Sequence, residues 1–405
     1  MSTQDETHQS SQGFLGSQNF QSSQNLQDFP DSQIQQGQLG DVQFDPSLDQ
    51  NPDSQRKNDH IRLALAQQQA PKRNAFDDVR FLHHSLCAVD QASVSTATQV
   101  CGQDWPLPFY INAMTGGSAQ AGSINAQLAT AAALTGLAMA TGSQHAALRR
   151  PELEPTFTTV RDHNPNGFVF ANVGPTVSPE QAVRAVKMLA ASALQIHINP
   201  VQEAVMTEGD RDYGSWPERI RAIAAAVPVP VVVKEVGFGL SRPTIELLAT
   251  LGVNTVDISG RGGTDFAVIE NERRVDRAYW YMDNWGLSTV LALLGASQPL
   301  PVQGVELLAS GGVRSPLDVV KALALGAQAV GVSGHFLATL TAGGVEGLVD
   351  EINDWARQVR ALMSLLGART VADLRRSDLL VTGSTAEEAN LLGVDLPSLA
   401  HRSAS

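Results

Sequence analysis

The stretch IHINPVQEAVMTEGDRDY, residues 196–213, begins as the end of an apolar run and continues as a polar loop. It gathers His197, Asn199, Gln202, Glu203, Glu208, Asp210, Arg211 and Asp212. So many polar groups at a strand end point to chemistry rather than packing, and the neighbouring amide and carboxylate of Gln202 and Glu203 are the pair to explain. Lys234 closes the Val-rich run PVVVK. An ammonium group there is costly to bury without a partner. The electron-rich edge of a flavin, a substrate carbonyl or a Schiff base would suit it, and so would simple pairing with Glu235. Two glycine turns, in SGGVRSP and VGVSGHFL, each lead from an apolar run into a helical pattern. Glycines and the free N–H groups at a helix start attract phosphate. One terminal phosphate is therefore expected on Gly312, Val313, Arg314, Ser333 and Gly334, the plainer alternative being tight turns alone. Asn172 and Ser143 offer hydrogen bonds to a flat heteroaromatic ring, and the thioether of Met114 packs well on one. Together these groups suggest FMN.

These residues need a scaffold that brings distant strand ends together. Apolar, β-rich runs occupy 108–114, 137–142, 168–174, 194–199, 230–237, 255–260, 306–312 and 329–334. They are continuous rather than alternating, as in a parallel sheet buried on both faces. Helical patterns lie between most of them, at 118–135, 178–192, 216–226, 241–251, 287–295 and 315–326, and the link after the second run is the least clear. Eight strands with intervening helices predict an α/β protein, a (β/α)8 TIM barrel, whose chemistry lies at the C-terminal strand ends. A doubly wound open sheet is the alternative, but no GxGxxG follows the first strand.

The chain has 405 residues and a net charge of −13, which argues against nucleic acid or an anionic membrane as partner. No apolar run has the length of a membrane span, and no secretory signal is expected. Two cysteines make no disulfide framework, so a cytoplasmic location is expected. Residues 1–53 are rich in Gln, Ser and Asn, lack Lys and Arg, and carry eight acids. Such a segment cannot offset its ordering entropy by burial, so a disordered, dispensable tail is expected. The expected divisions are thus 1–53 for the tail, 54–383 for the barrel and 384–405 for a C-terminal extension.

The motifs RKNDH, INAMTGG, TGSQ, NVG, HINPVQE, EGDRDY, VVKEVGFG, SGRGGTDF, DNWG, ASGGVRSPLDVVKALALGA and GHFL occur in this order. Over about residues 56–383 the chain resembles the type 2, FMN-dependent isopentenyl-diphosphate delta-isomerases. The resemblance implies a 1,3-allylic proton shift between isopentenyl and dimethylallyl diphosphate, with reduced FMN, NADPH as reductant and Mg²⁺. It places FMN contacts on Ala113, Met114, Thr115, Ser143, Asn172, Lys234, Ser259, Thr264, Gly312, Val313, Arg314, Ser333 and Gly334. It places the diphosphate on Arg56 and Lys57, with His60 nearby, the active-site glutamine on Gln202 and the metal ligand on Glu203. It also implies a homo-oligomer, a tetramer or octamer. Ser288 and Ser333 depart from the family's usual proline and alanine. A neutral Gln202 would handle a proton without trapping a cationic intermediate, while Glu203 and the diphosphate would share Mg²⁺. His197 and Asn199 are open between functional and structural roles.

Two other readings compete. An FMN-dependent 2-hydroxy-acid oxidase or dehydrogenase needs a histidine base facing the flavin, and SGRGGTDF offers Arg261 in the comparable place. A non-catalytic flavin-binding protein would not keep Gln202, Glu203, Arg56 and Lys57 together.

Overall fold

The computed structural model describes residues 44–69, 73–297 and 302–404. Eight strands form a closed parallel barrel: β1 (Phe109–Ile111), β2 (Met139–Ala140), β3 (Val169–Val173), β4 (Ala193–His197), β5 (Val231–Lys234), β6 (Thr255–Asp257), β7 (Glu306–Ser310) and β8 (Ala329–Val332). Each strand pairs with its successor, and β8 closes on β1 through Val330 opposite Phe109 and Val332 opposite Ile111. Every expected strand is present, though shorter than its apolar run, because the run's last residues become the turns that line the mouth. The six expected helices are present at 119–135, 179–188, 216–226, 242–250, 289–297 and 316–324. The unclear link after β2 is a short helix, His145–Arg149, a 3-10 turn and a second helix, Pro155–His163.

Side chains alternate along a strand, and here that period sorts the core. Phe109, Ile111, Val169, Ala171, Leu194 and Ile196 pack outward against the helices. Tyr110, Phe170, Val232 and Leu308 fill the lower barrel. Two residues further along the same inward rows stand Asn112, Asn172, Lys234 and Ser310, all buried. The barrel interior is thus apolar at its base and polar beneath its mouth.

Three features escaped the sequence reading. An antiparallel hairpin, Thr98–Val100 with Gln103–Trp105, plugs the base. Trp105 packs edge-on to Tyr110, Phe168 and Phe170. Val79–Phe81 pairs antiparallel with Leu379–Val381, and the C-terminal residues are tied to this clasp: Thr385 Oγ1 donates to Asp78 at 2.7 Å and Ser403 Oγ to Asp378 at 2.6 Å. The division expected at 383 therefore falls inside packed structure. The tail boundary at 53 is also corrected. Residues 1–43 lie outside the described residues, but 44–53 are folded: a 3-10 turn spans Pro46–Asp49 and helix α1 (Pro52–Gln68) already begins at Pro52. Asn51 caps α1 by accepting from Ser54 N, and Asp49 accepts from Ala119 N at 2.7 Å. The composition of 1–53 averages over this local switch.

Candidate active site

A cavity of about 780 Å³ opens at the C-terminal ends of the strands, within the range of small-molecule sites. Helix α1 lies across its mouth. Asp53, Lys57, Ala64 and Gln68 line it at helical spacing, with Arg56, His60 and Gln67 interleaved on the same face. Buried Ile61 clusters with Ala121 and Leu337. The carboxamide of Gln67 accepts from Asp265 N at 2.8 Å and donates to Asp265 O at 3.2 Å, fastening the far end of α1 to the loop after β6.

All residues assigned from sequence to FMN, the diphosphate, the metal and the active-site glutamine line this one cavity, whereas Arg211, Asp212 and Glu235 do not. Arg56, Lys57 and His60 come from α1. Ala113, Met114 and Thr115 follow β1, and Ser143 follows β2. Asn172 and Lys234 sit on β3 and β5. Ser259 and Thr264 follow β6, Gly312, Val313 and Arg314 follow β7, and Ser333 and Gly334 follow β8. Gln202 and Glu203 lie on the helical turn Pro200–Val205.

The cationic side of the mouth is short of partners. Arg56 lies 3.6 Å from Asp53 and 3.6 Å from Glu208, yet its Nε is buried with no hydrogen bond. Lys57 has no hydrogen-bond or ion-pair partner among the described residues, and burial, then Arg56, push its ammonium down to about 8. Two adjacent cations, under-satisfied and facing a cavity, describe an anion site.

Beside them stands a hydrogen-bonded array. Gln202 Nε2 donates to Glu270 Oε1 at 2.8 Å, and His60 Nε2 is 2.9 Å from the same oxygen. Arg273 pairs with the other carboxylate oxygen. Burial alone would raise the Glu270 carboxyl, but His60, Gln202 and Arg273 outweigh it and hold it at about 2. Burial lowers His60. Asn199 Nδ2 bridges Gln202 Oε1 at 3.0 Å and Glu203 Oε1 at 2.9 Å, and Asp210 N donates to Glu203 Oε2 at 2.7 Å. Asn199 thus fixes Gln202 and Glu203 relative to each other. Glu270 was missed from sequence. Its signal was helical spacing: it lies three residues after buried Ala267 on Phe266–Arg273, a carboxylate on the apolar face.

The floor and far wall suit a flavin. Thr115 Oγ1 is buried without a hydrogen-bond partner, an orphan hydroxyl at the cavity wall. Lys234 Nζ donates to the Glu235 backbone oxygen at 2.6 Å and not to its carboxylate. The carboxylate instead gathers the N–H groups of Val236, Gly237 and Phe238, and burial pushes it up to about 7. Ser333 heads a helix that starts at Gly334 and is broken by a kink at Gly344, with no side-chain cap, so the first N–H groups there are open to a ligand. Arg314 departs from expectation. Its guanidinium binds Asp77 at 2.8 and 3.0 Å and Asp318 at 3.0 Å, and its backbone N–H also goes to Asp318. Two carboxylates hold it, leaving Gly312, Val313, Ser333 and Gly334 to offer N–H groups. Gly311 and Gly312 also serve the plainer role: a Cβ on Gly311 would lie 2.0 Å from the Gly260 oxygen.

Residues 156–381 match the family described as FMN-dependent dehydrogenase. Isopentenyl-diphosphate delta-isomerase of Nocardia farcinica is 53% identical over 351 residues, 86% of this chain and 96% of that protein. The enzyme of that name from Kitasatospora griseola is 54% identical over 353 residues, 87% and 96% of the two chains. That from Listeria welshimeri is 44% identical over 347 residues, 86% and 97%. Among solved structures, a mandelate oxidase variant with (S)-mandelic acid has a TM-score of 0.56 at 20% identity, covering 81% of this chain and 94% of that one. A flavocytochrome b2 variant with benzoylformate has a TM-score of 0.55 at 20% identity, covering 77% of each chain. These structures share the fold. With a closed eight-stranded barrel, a flavin-suited cavity at its mouth and relatives this similar along most of their length, the chain belongs to the isopentenyl-diphosphate delta-isomerases among the FMN-dependent barrel proteins.

Proposed function

We propose that this chain interconverts isopentenyl diphosphate and dimethylallyl diphosphate, with its own residues clamping the diphosphate and moving the proton. The observation that carries the reading is one cavity in which the under-satisfied Arg56 and Lys57 adjoin the Gln202–Glu270–His60 array. The reaction adds a proton to the terminal methylene and removes one from the carbon beside the diphosphate-bearing carbon, through a cationic centre, with no net oxidation. Gln202 carries no charge and Glu270 does not line the cavity. The carboxylate therefore orients the amide from behind without meeting the cation. Reduced FMN, when bound, supplies an electron-rich ring face and an acid–base position at N5.

Glu203 fits a Mg²⁺ ligand by the chemistry of its donors. Magnesium takes one or two carboxylates and completes its shell with phosphate oxygens and water. The described residues hold no cluster of three or more His, Cys, Asp or Glu arranged for a metal, so the diphosphate would supply the remaining oxygens. NADPH serves only to reduce the flavin. Self-association is supported by exposed Val275, Trp280, Tyr281 and Trp285, since exposed apolar residues mark contact sites; the tetramer or octamer rests on the family resemblance, and sedimentation tests it. Cys87 and Cys101 are both free thiols, in keeping with a reducing cytoplasm.

The test is anaerobic incubation of the FMN-loaded protein with isopentenyl diphosphate, Mg²⁺ and NADPH in D₂O. The expected result is dimethylallyl diphosphate carrying deuterium. Oxidised enzyme given mandelate should show no flavin bleaching, because the SGRGGTDF motif carries Arg261 in place of a histidine base, and Arg261 donates to the Asn284 carbonyl at 2.6 Å and lies outside the cavity lining. Bleaching without isomerisation would establish the oxidase reading instead.

A further inference from the structure

Beneath the cavity floor, five buried or half-buried side chains on three strands and the turn after β1 form one hydrogen-bonded file. It starts at Asp257 on β6, fully buried. An ionised carboxylate only accepts, and it is surrounded by donors: Tyr110 Oη at 3.0 Å, Ser310 Oγ at 2.8 Å and Ser259 N at 3.1 Å. Asn112 Nδ2 also donates to it, at 2.8 Å. With the amide so turned, Asn112 offers an oxygen on its other side, where it accepts from Ala113 N at 2.8 Å and Gln195 Nε2 at 3.2 Å. Gln195 Oε1 accepts from Asn172 Nδ2 at 2.9 Å, and Asn172 Oδ1 faces His197 Nδ1 at 2.9 Å. An acceptor-only carboxylate and a donor-only backbone N–H fix the first amide, and each amide fixes the next. The last group is a carbonyl oxygen, so the ring nitrogen facing it must carry the proton.

We propose that the Asp257–Asn112–Gln195–Asn172 file holds His197 in its Nδ1–H tautomer, so that Nε2 is presented at the cavity as an acceptor for an O–H or N–H of the bound flavin. An ionised diphosphate has only acceptors and is a poor partner for that nitrogen. His197 stands opposite Lys234 in the β4–β5 register. Burial, then Lys234 and Lys57, push the ring down to about 3 against a weaker pull from the Val173 carbonyl, so it remains neutral. Gly174 lies at the Nε2 edge: a Cβ there would sit 3.5 Å from Nε2 and Cε1. Glycine leaves that edge uncovered. His197 is therefore a contact residue, and Gln195, buried and outside the cavity lining, is a positioning residue.

The inference rests on the flavin reading of the cavity for its ligand but not for its tautomer, and the test separates the two. Holoprotein labelled with ¹⁵N-histidine is compared with His197→Gln to assign the ring among nine histidines. Long-range ring correlations should show protonated Nδ1 and bare Nε2 from about pH 6 to 9. A protonated Nε2, or an imidazolium, overturns the proposal. In FMN titrations of apoprotein, Gln195→Leu should bind about tenfold more weakly. Gln195→Glu should stay close to the unsubstituted protein, because a buried, protonated carboxyl still accepts from Asn172 and donates to Asn112. The KM for isopentenyl diphosphate should not change. A raised KM with unaltered FMN affinity would assign His197 to the diphosphate and overturn the ligand. If Gln195→Leu does not fold, the tautomer of the unsubstituted protein decides.

Discussion

Gln202 and Glu203 are adjacent in sequence and share one tether, the Asn199 amide, yet their other partners differ. Gln202 reaches buried Glu270, while the Glu203 carboxylate, among the described residues, meets the amides of Asn199 and Asp210 and has lone pairs left over. Glu203→Gln should therefore shift the magnesium requirement upward, with partial rescue at high Mg²⁺. Gln202→Ala should lower kcat by about 10²–10⁴-fold, the usual range for an acid–base group, with no rescue. A magnesium titration of both variants with reduced FMN decides, and an identical response would remove the division of labour. Lys57 adds a pH signature. Its ammonium deprotonates at about 8 when folded, so kcat/KM for the diphosphate should fall as pH rises through 8, and Lys57→Met should be low throughout and lack that limb. Linkage runs the other way for stability. The unfolded chain keeps this proton up to the ordinary lysine range, so the folded state binds fewer protons between the two values and gains stability as pH rises between them. Loss of binding above pH 8 would then not reflect unfolding. At this scale the sequence revealed residues that sit in recognisable turns. It hid Glu270, whose role depends on α1 bringing His60 across the barrel.

Strands and helices were legible because each barrel strand is a continuous apolar run and each helix has a helical spacing of apolar residues, signals that need no tertiary context. The short link Gln144–His163 was not, since its helices are held by tertiary hydrogen bonds such as Asn125 Nδ2 to the Thr156 carbonyl at 2.9 Å. Glycine-rich turns looked alike in sequence and differ in space. Gly311 has φ of +95° and no room for a methyl group against the Gly260 carbonyl, while Gly347, in the first helical turn after the kink at Gly344, has nothing within 4 Å of an added Cβ. Gly311→Ala should thus cost at least about 2 kcal/mol, from a strained backbone plus displacement of the turn after β6, and should weaken FMN binding. Gly347→Ala should stabilise by about 0.5–1 kcal/mol, because a helical glycine loses more entropy on folding than alanine. Denaturant unfolding of the two variants measures both, and equal effects would show that the packing at Gly311 is not what demands glycine.

The architecture of the whole chain could be read from the order of its elements, and its closures could not. The clasp of Val79–Phe81 with Leu379–Val381 joins segments far apart in sequence, and in both it and the local hairpin at the base the three-residue strands leave almost no periodic signal. The entry strap shows the same effect. By composition it belongs to an acidic Gln-rich tail, but position by position it is bonded to the site. A Cβ on Gly122 would meet the Phe44 ring at 2.7 Å, so that ring lies against helix 119–135. Asp49 accepts from Ala119 N and, at 3.1 Å, from Asn58 Nδ2. Asp53 pairs with Arg150 at 2.6 Å and Arg149 at 3.8 Å. These bonds set the start of α1, and with it the direction of Arg56 and Lys57. The expectation that residues 1–53 are dispensable therefore divides at 43. A chain beginning at residue 44 keeps every contact described above and should retain kcat/KM within about threefold. A chain beginning at residue 54 loses the Asn51 cap, worth about 1 kcal/mol, along with the Asp49 and Asp53 ties. Its KM for isopentenyl diphosphate should rise at least about tenfold, equivalent to ~1.4 kcal/mol, while FMN affinity changes little, because the strand-end turns that line the flavin wall remain. Steady-state kinetics of the two truncations with the flavin content of each measured is the comparison. Equal KM values would mean that α1 holds its place over the mouth through Ile61, Gln67 and His60 alone.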